Sequence, residues 1–182
     1  KTIFNYTANL LNKYVYKFYG VLPIRCDFIE KYYHISKNRI DLLVMGADDD
    51  VIKQAQDKKQ DIINEYKIDS SKFNIVCGGK FDHFKTEVLD LMKAVKDIDN
   101  VHLYIYGSIG DEIKEEFNNL LDNNITYVGW LNQIDSYALL LSSTIGIFPG
   151  RHSVIWEQCV GLGIPLIVKD LPGTRHIDTG DN

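Results

Sequence analysis

Features that would tie this sequence to nucleic acid, to a redox framework or to a membrane are scarce. Its 20 Lys and Arg are scattered and outweighed by 25 Asp and Glu, for a net charge of −5. There is thus no basic stripe for sustained contact with a polyanion, and nucleic acid is disfavoured as a partner. The three cysteines, Cys26, Cys77 and Cys159, are odd in number and far apart, with no C-x-x-C pair. They signal neither a disulfide framework nor a zinc site, and read as reduced, packed thiols of a cytoplasmic protein. No apolar run approaches the length of a membrane span, and "KTIFNYTANLLNKYVYKFYG" has no signal-peptide core or small-residue cleavage site. An initiator Met is also absent, and the chain stops abruptly at "IDTGDN" after a promising segment, so a fragment of a longer protein is expected. We find no internal repeat and no low-complexity tract.

What is present suffices for a globular fold: 182 residues at 45% hydrophobic content can bury a sizeable core. From Phe73 onward, "FNIVCGG", "VHLYIYG", "ITYVGW", "TIGIFPG" and "IPLIVKD" are short, β-branched or aromatic, and end in Gly or a turn signal, as buried parallel strands do. Between them lie stretches of helical spacing. In "KTEVLDLMKAVKD", Val88, Leu89, Leu91, Met92 and Val95 share one face while Glu87, Asp90, Lys93 and Lys96 share the other. Strands alternating with such helices predict an α/β fold, a Rossmann-like doubly wound parallel sheet with helices on both faces. Residues 1–72 are less regular, with a tyrosine-rich helix to Tyr19, a short helix in "RCDFIEKYYHI", a strand in "IDLLVMG" and a polar helix in "DDVIKQAQDKKQDIINEYKI".

Ligands of open parallel sheets sit beyond the carboxyl ends of the strands, which directs attention to the loops there. In "GGKFDHFKT", Gly78 and Gly79 permit a tight turn, Lys80 and Lys85 supply two cations, and Thr86 is a candidate hydroxyl cap. The pair suits a phosphate or diphosphate; the alternative is two solvated lysines. In "RHSVIWEQCVGLGIPLIV", Ser153 is a candidate N-cap, which would put Glu157 near the mouth of the site. A carboxylate there can hold a vicinal diol such as a ribose, or simply complement a helix dipole. Arg151 and His152 precede that helix and face either a phosphate or sugar, or water. The acidic triplet Asp48–Asp50 opens a polar helix, where its charge suits the helix N-terminus better than a metal. Neither Gly161-Leu162-Gly163 nor Gly107-Ser108-Ile109-Gly110 completes a G-x-G-x-x-G fingerprint after the first strand of a βαβ unit, which disfavours a nicotinamide enzyme. Gly107 and Gly110 can still admit a ligand close to backbone.

These residues resemble a known family. "GGKFDHFK" is similar to the Gly-Arg-x-x-x-x-Lys loop of retaining GT-B glycosyltransferases that use nucleotide-diphosphate sugars, with Lys80 where the family usually has Arg and Lys85 at the matching spacing. "LYIYGSIGD", "TYVGWLNQIDSYALLLSSTIGIFPG" and "WEQCVGLGIPLIVKD" resemble the family's following blocks in order. The likeness covers residues 21–182 and is more specific from Phe73. Glu157 matches the second glutamate of a Glu-x7-Glu motif, whose implied role is to hold the donor ribose. Pro149 stands where the first would be, with Arg151-His152-Ser153 in its loop, in the manner of a "HS…WEQ" subgroup of bacterial surface-polysaccharide transferases.

The resemblance implies a metal-independent glycosyltransferase of hexosyltransferase type, with no cofactor and a UDP or GDP sugar as donor. Lys80 and Lys85 would be catalytic, and Gly79, Gly107, Arg151, His152, Ser153 and Glu157 would bind the donor. Residues 1–20 would be a remnant of an N-terminal domain, 21–72 an interdomain connector with its flanking helix, and 73–182 the nucleotide-sugar-binding domain, truncated at its C-terminus. An acceptor glycan or lipid-linked sugar would be bound through the missing N-terminal domain, so the isolated chain is expected to be inactive. The implied location is cytoplasmic, with peripheral association at the inner face of the membrane as an option. A non-catalytic Rossmann-like nucleotide-binding module and a GT-B sugar-nucleotide epimerase are the alternative readings.

Overall fold

The computed structural model describes residues 2–178, so the first residue of the N-terminal segment and the expected end of the donor domain at 179–182 lie outside the described residues. The described residues form two compact units, 2–45 with 170–178, and 46–169.

In the first unit, helix α1 (Thr2–Leu11) is followed by strand β1 (Phe18–Gly20), helix α2 (Pro23–Tyr33) and strand β2 (Ile40–Leu42). β1 and β2 pair in parallel, Phe18 with Ile40 through Gly20 with Leu42. The helix expected to reach Tyr19 thus stops at Leu11, because Val15, Phe18 and Tyr19 belong to a β-branched and aromatic run that favours extended backbone. Arg39 fixes the turn between them by donating to the carbonyls of Asn12 (2.9 Å) and Val15. Pro23 opens α2, where its missing N–H costs nothing.

The second unit is a five-stranded parallel sheet. Helix α3 (Asp49–Glu65) leads into β3 (Phe73–Phe81), α4 (Glu87–Val95), β4 (Val101–Ile109), α5 (Asp111–Leu120), β5 (Ile125–Gly129), α6 (Gln133–Leu141), β6 (Ile145–Phe148), α7 (Ile155–Gly161) and β7 (Leu166–Val168). The strand order is β5-β4-β3-β6-β7. From β3 the chain steps outward to β4 and β5, then crosses back to the other side of β3. With right-handed crossovers, α4 and α5 cover one face and α6 and α7 the other, giving the expected doubly wound arrangement. α4 buries Val88, Leu89, Leu91, Met92 and Val95, the face read from its spacing, against the sheet. α3 packs on α6 through Ala55 and Ile62 and is tied there by Lys58 to Asp135 at 2.9 Å.

The acidic triplet resolves as a cap: the Asp48 carboxylate accepts from the amides of Asp50 (3.0 Å) and Val51 (3.2 Å). Two other expected caps differ. Thr86 stands at the cap position of α4 but its hydroxyl makes no capping bond, because it is itself in helical conformation. Ser153 is not the N-cap of α7, which begins at Ile155 after Val154; the Ser153 carbonyl accepts from Trp156 N at 3.0 Å, so an extra turn precedes the helix.

Candidate functional site at the sheet switch point

β3 and β6 are neighbours from which the chain winds in opposite directions, and such a point is where an open parallel sheet leaves a crevice. They pair only at Ile75–Ile145 and Val76–Gly146. Beyond that, Cys77, Gly78 and Phe81 on one side and Phe148, Pro149, Gly150 and Arg151 on the other line a cleft of about 290 Å³, counting the open space at its mouth. Val88 and Trp156 complete its apolar lining, and Lys85 and Ser153 enter it.

The Gly-Gly of β3 has a steric origin. A Cβ on Gly78 would lie 2.2 Å from the Tyr106 ring, so a buried tyrosine occupies that space. Gly79 (φ +150) pairs in register with Gly107 (φ +119), and a Cβ on Gly107 would fall 1.8 Å from the Gly79 carbonyl oxygen. Backbone alone therefore faces backbone at this one pair, just before β3 and β4 end at Phe81 and Ile109, with the Gly107 carbonyl accepting from the Tyr127 hydroxyl at 2.7 Å.

After β3 the chain turns through Asp82–Lys85. The Asp82 carboxylate accepts from Phe84 N at 3.0 Å and its carbonyl from Lys85 N at 2.8 Å, while Glu112 accepts from His83 N at 2.8 Å. This sends Lys85 back to the glycines: its Nζ lies 3.8 Å from where a Gly79 Cβ would be. Half burial, assisted by nearby Arg151, holds the Lys85 ammonium below its ordinary pKa of 10.5. Arg151 is exposed, and its guanidinium rests 4.7 Å from the Phe84 ring centroid, a cation–π contact that steadies it at the cleft. Glu87 pairs with Lys169 at 2.8 Å, which keeps its carboxyl below the usual range, and its charge together with that of Asp82 opposes part of the lowering at Lys85.

The site residues expected from sequence divide accordingly. Lys85, Arg151 and Ser153 converge on the cleft, with Gly79 beside the lysine. Lys80 does not line it: as a β3 residue with a side chain 77% exposed, it lies 3.8 Å from Asp82. Glu157 lies deeper than a residue at the mouth, with its side chain 2% exposed and Oε1 at 2.7 Å from Nε2 of His152. His152 also stands edge-on to Trp156, ring centroids 5.0 Å apart. A seven-residue α7 carries little macrodipole, so we assign no anion-binding role to its amides. The aromatic side chains at the cleft, Phe81, Phe148 and Trp156 in its lining and Phe84 under Arg151, were missed from sequence; an aromatic in a cationic loop was the available signal for Phe84.

One consequence concerns pH. An anion that needs the Lys85 cation should bind progressively less as pH rises through the lowered pKa, at lower pH than an exposed lysine would dictate. Lys85→Arg should carry binding to higher pH, since guanidinium keeps its proton. Titrations with inorganic pyrophosphate across the alkaline range test this; superimposable profiles would place the lysine outside the anion site.

No protein-family model matches the chain. A Klebsiella pneumoniae protein described as an uncharacterized 41.2 kDa protein in the cps region is 27% identical over 146 residues, covering 79% of this chain. Among solved structures, a glycosyltransferase from Rickettsia africae superposes with a TM-score of 0.71 at 19% identity over 98% of this chain. WaaG, a glycosyltransferase involved in lipopolysaccharide biosynthesis, gives 0.67 at 14% identity over 88% of this chain. Anabaena Alr3699/HepE, solved in complex with UDP, gives 0.68 at 14% identity over 91% of this chain. The chain spans 40% of the Klebsiella protein, and 51%, 46% and 48% of these three structures in turn. Among the described residues no helix is long and apolar enough to cross a membrane. The five-stranded parallel sheet flanked by helices is the Rossmann-like α/β fold of the GT-B glycosyltransferases, and this chain has that fold.

Proposed function

We infer that this chain is the donor-binding part of a GT-B glycosyltransferase that takes a UDP or GDP sugar and transfers the sugar to an acceptor hydroxyl. The observation that carries the reading is the cleft between β3 and β6, where Lys85 and Arg151 enter from opposite walls and Glu87 is already paired. The sugar–diphosphate bond breaks as the sugar–acceptor bond forms, the diphosphate departs with the bonding electron pair, and the acceptor hydroxyl proton passes to a general base or to the departing diphosphate. Negative charge grows on the departing diphosphate, and fixed cations in a half-buried cleft stabilise that charge more than the ground state. They would do so without a resident metal or cofactor.

Residues 73–182 would be the donor domain, 21–72 the connector and 1–20 the remnant of an acceptor-binding domain that also holds any general base. The Klebsiella relative's cps region supports a place in bacterial surface polysaccharide synthesis, with the enzyme cytoplasmic or peripheral at the membrane. A second reading, sugar-nucleotide epimerisation, rests on the likeness to a Neisseria meningitidis UDP-GlcNAc 2-epimerase, TM-score 0.56 at 14% identity.

Metal-free calorimetric titration with UDP, GDP and ADP is the test. Saturable binding of UDP or GDP is expected; failure of all three to bind would overturn the reading. Product analysis of the complete protein, for a glycosylated acceptor against an epimerised donor, separates the two enzymes.

A further inference from the structure

The glycine that joins β4 to α5 has the space above it taken by a carboxylate. A Cβ on Gly110 would lie 2.6 Å from Oε2 and 2.9 Å from Oε1 of Glu112, although the backbone there, at φ −69 and ψ 146, suits any residue. The missing side chain at Gly110 therefore makes room for Glu112 rather than for an unusual backbone conformation. Gly110 also donates its amide to the Phe81 carbonyl at 2.7 Å, which sets the start of α5 beside the end of β3.

From that position Glu112 reaches the turn that follows β3. Its Oε1 accepts from His83 N at 2.8 Å and stands 3.3 Å from His83 Nδ1. Its own amide and that of His83 hold the carboxyl below its usual range. The bonds that Asp82 makes to Phe84 N and Lys85 N are internal to the turn, so Glu112 holds it from outside. The next two residues are those on which the cleft depends. Lys85 lines it, and the Phe84 ring, which carries the Arg151 guanidinium at 4.7 Å, also meets the His83 ring at 3.7 Å between centroids.

We propose that Glu112 is a positioning residue of the anion cleft: through His83 it holds the Asp82–Lys85 turn, and with it Lys85 and the Phe84 ring beneath Arg151, in the arrangement that meets a diphosphate. This role rests on the donor-binding reading above. Its sign separates it from plain electrostatics. A carboxylate near an anion site repels the ligand, so on charge alone its removal tightens binding. A tether does the opposite, because without it the ligand must order the loop as it binds.

The test is calorimetric titration of the full chain with inorganic pyrophosphate, or with whichever of UDP and GDP binds if pyrophosphate does not. With its side chain 42% exposed, Glu112 can be replaced without opening the core. Glu112→Ala should weaken binding about threefold to tenfold, the scale of coupling between residues in one network. Glu112→Gln loses the charge but keeps an oxygen to accept from His83 N, and should bind at least as tightly as the wild type. Gly110→Ala keeps the charge and only pushes the carboxylate aside, so it should weaken binding as Glu112→Ala does and add nothing once Glu112 is alanine. Unchanged or tighter binding by Glu112→Ala would overturn the tether, as would Glu112→Gln binding no better than Glu112→Ala. A full further loss from Gly110→Ala in the Glu112→Ala background would overturn it too, by placing Gly110 against the ligand. Each of these leaves the donor reading standing. Failure of the wild type to bind pyrophosphate, UDP or GDP would overturn that reading and this inference with it.

Discussion

Lys85→Ala should weaken binding of a nucleoside diphosphate about 30- to 150-fold, whereas Lys80→Ala should change it less than about threefold, although the two lysines stand close together in the sequence. The larger figure corresponds to about 2–3 kcal/mol, the scale of a hydrogen bond to a charged group from a partly desolvated donor. Lys85 lines the cleft and its ammonium is half-buried beside Arg151, so no water can replace it at equal strength. Lys80 stands 77% exposed, and exposed charges contribute little. Calorimetric titration of both variants decides it: equal losses would mean that Lys80 swings inward on binding, and no loss at Lys85 would remove the cleft from consideration. Glu157→Ala is the less informative variant despite the motif match. It would remove the partner of His152 at 2.7 Å inside the core and confound ligand loss with unfolding.

The largest effect on stability is expected at Gly107, where alanine should cost about 3 kcal/mol or more, a severe loss for a point substitution. Two independent causes act there. The backbone has φ +119, which L residues rarely adopt, and the added methyl would sit 1.8 Å from the Gly79 carbonyl oxygen, a backbone atom that cannot rotate aside. Gly129→Ala separates the two: it imposes a left-handed φ of +84 but meets open space, so it should cost only about 1 kcal/mol. Urea unfolding midpoints at unchanged m-value measure both. Similar shifts for the two variants would mean that β3 and β4 part easily at their carboxyl ends.

The sheet from Phe73 was legible because buried parallel strands announce themselves as short apolar runs, and α4 because its five buried positions fall on one helical face. The turn that brings Lys85 to the cleft was misplaced: it falls at Asp82–Lys85, whereas Gly78 and Gly79 lie inside β3, paired with β4. Lys80 was misjudged for a local reason. "GGKF" looks like loop, yet β3 runs to Phe81, so strand alternation sets the direction of Lys80. Glu157 was placed near the mouth with the N-cap of α7 set at Ser153, one residue before Val154. The N-terminal helix overran because tyrosines at 14, 16 and 19 fit either period.

The two-residue ladder between β3 and β6 makes the cleft a wedge with its apex at the end remote from Lys85 and Arg151. The apex is pinned where Thr144 N donates to the Asn74 carbonyl at 2.7 Å and Asn74 N to the Thr144 hydroxyl at 3.1 Å, and the gap opens from Cys77 and Phe148 onward. Its opening angle is thus set by residues outside the cleft lining. Gly146 sits just inside the apex, where a side chain would meet the Phe148 ring at 2.7 Å and the Cys159 Sγ at 3.3 Å. Small changes at this fulcrum are magnified at the rim, so jaw width in related chains can drift through packing substitutions while every cation at the mouth stays the same.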